Sequence, residues 1–342
     1  MKNKIIYKYI VSGIGVFIAL GFIYVYLQMM VPLAQIDNPL EIEIKKGMSF
    51  KQAVNELSKY RLINDPNVFI ALGRLTGLHK RLTPGYYSFL GTLSPWDVFK
   101  ALKNALIVQW EITVVEGDTL EDIKAKLAKK GIMSEEDFMR LSTDKSFLAS
   151  LNIDAPSLEG YLFPDTYRIP KGATPEDVLS MMVHRLRQKF TVEMLERMQE
   201  LGLDERSVLT LASIIEKEAV IDRERPIISA VYHNRLKRGM PLQADPTAVY
   251  GIKPLSAGVT KKDIKRKTAY NTYFIKGLPP GPIASAGIKS IKAALYPSDV
   301  PYLYFVSRND GTHAFSVTFK EHLRAIRTYK ATKAAARARI KG

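Results

Sequence analysis

IEIKKGMSFKQAVNELSKYRLI, residues 42–63, decides how the first half of this chain is read. Residues 112–133, ITVVEGDTLEDIKAKLAKKGIM, repeat its pattern seventy positions later. Ile42 and Ile44 correspond to Ile112 and Val114, Gly47 to Gly117, Ser49 to Thr119, Leu57 to Leu127, and Leu62-Ile63 to Ile132-Met133. Apolar and polar residues alternate before the glycine, which predicts a strand with one buried face. Ser49 and Thr119 then stand where an N-cap belongs, ahead of apolar positions at helical spacing.

The likeness resumes in PGYYSFLGTLSPWDVFKAL from Pro84 and EGYLFPDTYRIPKGATPEDVLSMM from Glu159. Both carry Gly-Tyr, an extended stretch, and Ser/Thr-Pro-x-Asp-Val, an N-cap with proline at the first helical position. Each copy therefore predicts strand–helix–helix–strand–helix. The pair reads as an internal duplication of a small α+β module, similar in size and pattern to LysM-like glycan-binding modules.

Upstream of the first copy, Lys2, Lys4 and Lys8 precede an uncharged run from Tyr9 to Ile36. About 20 apolar residues span a bilayer, so the run is long enough to cross one. Tyr7 and Tyr9 near one end and Tyr24 and Tyr26 near the other suit aromatic belts, and the lysines predict a cytoplasmic N-terminus. No small-x-small cleavage site follows, which favours a retained anchor over a cleaved signal peptide.

The chain has 342 residues and no cysteine, which excludes thiol catalysis, cysteine-ligated zinc and disulfides. That composition suits an extracytoplasmic protein. Net charge is +16, with eight Lys or Arg and one Glu from Lys320 onward. No helix-turn-helix, zinc-finger or RNP pattern accompanies the charge, so nucleic acid is not expected as a partner. The basic end is read as a solvated helix and tail of unassigned role.

Beyond residue 190 the sequence opens with helices and then turns to loops rich in Pro, Gly, Tyr and Asn, where binding and catalysis usually reside. YLYFV and AFSVTF flank SRNDGTH, a hairpin around Asp310-Gly311, and a last helix is expected from near Glu321. Within the helical part, LASIIEKEAV at 211–220 places two glutamates in an apolar stretch. Asp204 is the expected N-cap, and the helix should run through Glu218 and end near Asp222, before Pro226 opens the next one. At 100° per residue, Val208, Ala212, Ile215 and Ala219 form the predicted buried stripe. Glu218 falls between Leu211 and Ile214, and Glu216 falls on the other flank. Residues two apart on a helix do not face each other, so the two carboxylates cannot share one cleft. A carboxyl on an apolar flank should have a raised pKa, the condition for a general acid. Pairing with Lys217, Arg223 or Arg225 in a purely structural role is the alternative for either glutamate, and the wheel alone does not choose between the two.

The motifs EGYLFPDTY (159–167), ASIIEKE (212–218), LQADPTAVYG (242–251), AYNTY (269–273), GLPPGPI (277–283) and YLYFV (302–306), in this order behind an anchor, resemble the YceG-like endolytic murein transglycosylases over nearly the whole chain. The resemblance implies that Glu218 is the catalytic acid/base. It would protonate the MurNAc-β-1,4-GlcNAc oxygen and then take the proton of the C6 hydroxyl of the same MurNAc, closing a 1,6-anhydro ring without metal or cofactor. Asp245, set by a turn before Pro246, is expected to orient Glu218 or to stabilise an oxocarbenium-like centre. Tyr270, Asn271 and Tyr273 offer aromatic faces and an amide to a sugar, and Pro279 and Pro280 a stiff cleft wall.

The expected layout is a cytoplasmic tail 1–8, a transmembrane helix 9–31, a linker 32–40, LysM-like modules at 41–108 and 109–190, a mixed α+β catalytic domain 191–332 with long loops, and a basic tail 333–342. Nascent peptidoglycan strands, the cytoplasmic membrane and peptidoglycan synthases are the partners this implies, with the catalytic domain outside the membrane and strand elongation ended by cutting. A membrane-anchored muramidase, with Asp245 as second carboxylate, and a non-catalytic glycan-binding scaffold are the alternatives.

Overall fold

The local signals set the elements of the computed structural model, which describes the backbone of residues 2–308 and 310–341 and side chains over 5–308 and 310–332. The chain divides into two units, one of residues 1–110 with 168–173 and the other of 111–167 with 174–342.

The first unit opens with α1 (Lys2–Met30), of which Ile5–Met30 is apolar and long enough to cross a membrane, with mean hydropathy 2.3. There follow β1 (Ala34–Ile44), α2 (Phe50–Lys59), α3 (Pro66–Leu75), β2 (Gly85–Leu93) and α4 (Pro95–Lys103). Ser49 and Ser94 cap α2 and α4 through capping boxes with Gln52 and Asp97. Strands β1 and β2 pair antiparallel, Ile42 opposite Tyr87 and Ile44 opposite Gly85. Their inward residues meet Val54, Leu57, Phe69, Phe99 and Leu102 in one core, while Glu41 and Glu43 stay exposed as the alternation predicts. Most of the stretch expected as a linker belongs to β1. It pairs with residues 91–93 and slips register between Ile36 and Leu40, around Pro39, which has no N–H to give a ladder.

The strand β3 (Gln109–Thr113) leads into the second unit, and β4 (Thr166–Pro170) pairs with it. Between them run α5 (Leu120–Lys129), α6 (Glu135–Thr143) and α7 (Lys145–Ser150); α8 (Pro175–Arg187) follows. Thr119 and Thr174 cap α5 and α8 as expected. Next come α9 (Val192–Glu200), α10 (Glu205–Glu218), α11 (Arg225–Lys237), the single turn α12 (Lys261–Ile264) and α13 (Ile288–Leu295). The hairpin β5 (Tyr304–Ser307) and β6 (His313–Ser316) pairs Phe305 with Phe315, and α14 (Phe319–Lys341) closes the chain. Glu321 accepts the N–H groups of Val317 and Thr318 at the start of α14. The side chains of the basic tail at 333–342 lie outside the described residues.

Glu224 fastens the hairpin to the helices: its carboxylate accepts the His313 backbone N–H at 3.1 Å and meets Nδ1 of the same residue at 2.7 Å, both residues buried. The helix α10 is central. All eight residues Val208–Ile215 are buried, rather than the single stripe the wheel predicts, and both α11 and α13 pack against the helix.

Candidate active site

The end of α10 determines where its charged residues point. Asp204 accepts the Ser207 N–H at 2.8 Å and caps the start of the helix. The last helical residue is Glu218; Ala219 is extended, and its N–H closes on Ile215 O at 2.9 Å. The helix thus stops short of Asp222, which instead begins a short 3-10 turn and binds Arg225 at 3.1 Å. Successive side chains on a helix fan out by 100°, so Glu216, Lys217 and Glu218 meet three different environments.

Glu216 is structural. One of its oxygens accepts from Arg225 Nη1 at 2.9 Å and the other from the Gly287 backbone N–H at 2.9 Å, which ties α10 to α11 and to the start of α13. Lys217 donates to Gly117 O at 3.2 Å. Glu218 is left facing the loop residues that the sequence marked.

The Glu218 carboxyl is pushed up to about 8, first by loss of hydration and then by the negative charge of Asp245; the Asp245 backbone N–H and the Tyr232 hydroxyl pull the other way. The residue is half-buried, so the carboxyl sits in a poorly hydrated recess that still opens to solvent. A group with this pKa is mostly protonated at neutral pH and can act as a general acid.

The loop that carries Asp245 is rigidly held. Arg235 of α11 is buried and donates to Pro241 O at 3.2 Å, Leu242 O at 2.9 Å, the Gln243 side chain at 3.2 Å and Leu303 O at 2.7 Å. Gln243 is left-handed at φ 51°, a conformation that costs a non-glycine residue energy and persists because these bonds fix it. Ala244 N–H donates to Thr272 Oγ1 at 2.9 Å, and Thr247 and Thr272 hydroxyls meet at 2.8 Å, which staples the QADPT loop to AYNTY. Asp245 is exposed and accepts the Tyr273 hydroxyl at 2.6 Å. It opens a short 3-10 turn, Asp245–Ala248, rather than capping one.

Glu218, Asp245 and Tyr273 therefore come together. The other expected residues do not all join them. Asn271 is fully buried and its amide is spent on the protein: Nδ2 donates to Ile264 O at 3.0 Å and Arg266 O at 2.6 Å, and Oδ1 accepts the Tyr273 N–H at 3.1 Å. Its place is to shape the loop, and no amide hydrogen bond remains for a sugar. Tyr270 tilts against Tyr250 with ring centroids 4.6 Å apart. Pro279 and Pro280 line a recess of about 360 Å³ with Arg206, Ser207 and Thr210, at the start of α10. At ~1.5 Å per residue, that is two turns or more from Glu218, so these prolines do not wall its carboxyl.

Sequence reasoning missed several residues. Tyr232 and Arg235 sit in a helix with no recognisable motif. Glu159, which opens EGYLFPDTY, is buried and its carboxyl is pushed up to about 7 by lost hydration. It accepts the Leu120 N–H at 3.2 Å, at the start of α5, and the Tyr250 hydroxyl at 3.0 Å. Beside it a cleft of about 780 Å³ is lined by Glu116, Leu120, Met139, Glu159, Lys217 and Tyr250 among others. A glutamate directly before glycine, at the head of EGYLFPDTY, was the available signal.

The sequence profile of the YceG-like family matches residues 42–328, most of the chain. The chain belongs to the YceG-like family. An endolytic murein transglycosylase of Bacillus subtilis (strain 168) is 32% identical over 309 residues, 86% of this chain and 86% of that protein. One of Streptococcus pneumoniae (strain R6) is 26% identical over 319 residues, 84% of this chain and 57% of the longer relative. A crystal structure of a yceG-like protein from Listeria monocytogenes, 30% identical, superposes with a TM-score of 0.58 and covers 84% of this chain and 98% of that one. The Listeria protein thus shares the fold, and the span matched by the family profile includes EKE and the two stapled loops of this chain.

Proposed function

We propose that this YceG-like protein is a membrane-anchored endolytic lytic transglycosylase that cuts MurNAc-β-1,4-GlcNAc bonds within peptidoglycan strands and leaves 1,6-anhydroMurNAc ends. One observation carries the reading: the Glu218 carboxyl, with its pKa raised to about 8, stands at the meeting point of the family's stapled loops, in a chain whose relatives are named endolytic murein transglycosylases.

Glu218 gives its proton to the glycosidic oxygen as the bond from that oxygen to MurNAc C1 breaks. The C6 hydroxyl oxygen of the same MurNAc bonds to C1, and its proton passes to the Glu218 carboxylate. The enzyme returns to its starting state and no water is consumed. One acid/base group of this kind is worth ~10²–10⁴-fold in rate. The Asp245 charge keeps Glu218 protonated before the reaction and offsets positive charge at C1 during it, while Tyr273 holds the Asp245 carboxylate in place. A separate cleft, lined by Glu159, Lys217 and Tyr250 and not by Glu218, offers room for a more distant part of the strand, and Tyr270 packs against its Tyr250.

The apolar helix Ile5–Met30 anchors the enzyme, with the lysines at its start inside and the chain that follows it outside, where new strands emerge. The first segment runs strand–helix–helix–strand–helix, and the second differs from that expectation by one additional short helix, α7, before its second strand. The order they otherwise share supports the LysM-like duplication and a glycan-holding role for those segments. Cutting at that place ends strand growth, and the synthases that make the strands are the expected neighbours. Asp245 beside Glu218 also supports a second reading, a muramidase with two carboxylates.

The test of Glu218 is a comparison of two conservative variants on purified uncrosslinked strands. Glu218→Gln should lower the cutting rate by ~10² or more. Glu216→Gln should keep the acid/base chemistry and act through a weakened fold. Equal activity of Glu218→Gln and wild type would reject the assignment, and no cutting by the wild type would favour a glycan-binding scaffold.

A further inference from the structure

Tyr232 lies on α11, is 1% exposed, and meets Phe305 edge-on with ring centroids 6.0 Å apart. Its hydroxyl has no hydrogen-bond partner within the described residues. Burying an unpaired hydroxyl costs stability, and phenylalanine would fill the same space without that cost. The groups that act on this hydroxyl are Glu218 from α10, Arg235 from its own helix, and Asp245 and Tyr273 from the two stapled loops. Arg235 is committed to the carbonyls of the Asp245 loop, and Tyr273 donates to Asp245. The hydroxyl favours the ionised form of the Glu218 carboxyl without making a formed hydrogen bond to it.

We propose that Tyr232 is a positioning residue for Glu218: its hydroxyl stands unpaired while Glu218 is protonated and donates a hydrogen bond to the carboxylate as that carboxylate forms. This rests on the reading of Glu218 as the acid/base. Hydrogen bonds to a charged acceptor are shorter and roughly twice as strong as neutral ones. The bond is therefore made mainly in the transition state, where proton transfer has begun, and an interaction realised there raises kcat rather than lowering KM. Asp245 and Tyr232 then act as opposed controls: the charge of Asp245 keeps the proton on, and the Tyr232 hydroxyl helps it leave.

The test uses the full chain in detergent, acting on uncrosslinked strands, with Tyr232→Phe and Glu218→Gln run beside the wild type. Tyr232→Phe should lower kcat roughly tenfold or more, the size of one charge-assisted hydrogen bond, and leave KM little changed. It should move the alkaline limb of the kcat profile to higher pH, because the carboxylate loses a donor that favours it. Its Tm should be unchanged or higher. A stronger donor, 3-fluorotyrosine at position 232, should move the limb to lower pH. An unmoved limb with wild-type kcat, an effect confined to KM, or a fall in Tm that accounts for the lost rate would overturn the proposal. If Glu218→Gln keeps full activity, it is the acid/base reading that fails.

Discussion

Glu218 is held in a state that serves a general acid and weakens the fold at higher pH. Its folded pKa is about 8 against an ordinary 4.5. Between those values the folded protein holds a proton that the unfolded chain releases. Stability therefore falls as pH rises through this window, is undiminished below about 4.5, and has lost the full contribution above about 8. Glutamine has no such proton. Thermal melts of wild type and Glu218→Gln should nearly coincide at pH 4.5 and separate progressively towards pH 8, with the variant the more stable. A constant difference across that range would contradict the raised pKa. At this scale the sequence was partly legible. Residues two apart on a helix must diverge, and Glu216 and Glu218 do; Arg225, named beforehand as a structural partner, holds Glu216. Asn271 was misread because nothing local tells whether an amide faces a sugar or the carbonyls of its own loop.

The elements around the site are joined by contacts between distant motifs. Gly160 of EGYLFPDTY shows this most simply: it is left-handed at φ 78°, and a Cβ there would lie 2.3 Å from Pro282 of GLPPGPI. A side chain in that conformation costs ~1–2 kcal/mol, and neither the backbone nor the proline ring can yield cheaply. Gly160→Ala should therefore destabilise by about 2 kcal/mol or more and lower Tm by several degrees. A Tm within one degree of wild type would show that the two motifs separate without cost. Helix starts were legible because a cap is local: Ser49, Ser94, Thr119, Thr174 and Asp204 all accept the N–H that their position predicts. The start of β1 was not, because its partner strand lies some fifty residues on and Pro39 reads as linker. The burial of α10 on all sides was also hidden, since serine and threonine in its sequence look polar while Ser213 and Thr210 satisfy their hydroxyls within the core.

Over the whole molecule, composition and pattern gave an apolar N-terminal helix and α+β units, and the structure has both. The chemistry turns on what accepts the new bond at MurNAc C1. The helix supplies one carboxylate and the loop brings another, Asp245, near it, so geometry alone leaves room for water or for the sugar's own hydroxyl. Digestion of uncrosslinked strands in ¹⁸O-water, with chelator present and with wild type and Asp245→Asn side by side, separates the two. The account predicts unlabelled 1,6-anhydroMurNAc ends from both proteins, formed more slowly by Asp245→Asn. Solvent ¹⁸O at the new MurNAc end, together with an Asp245→Asn variant as inactive as Glu218→Gln, would contradict it.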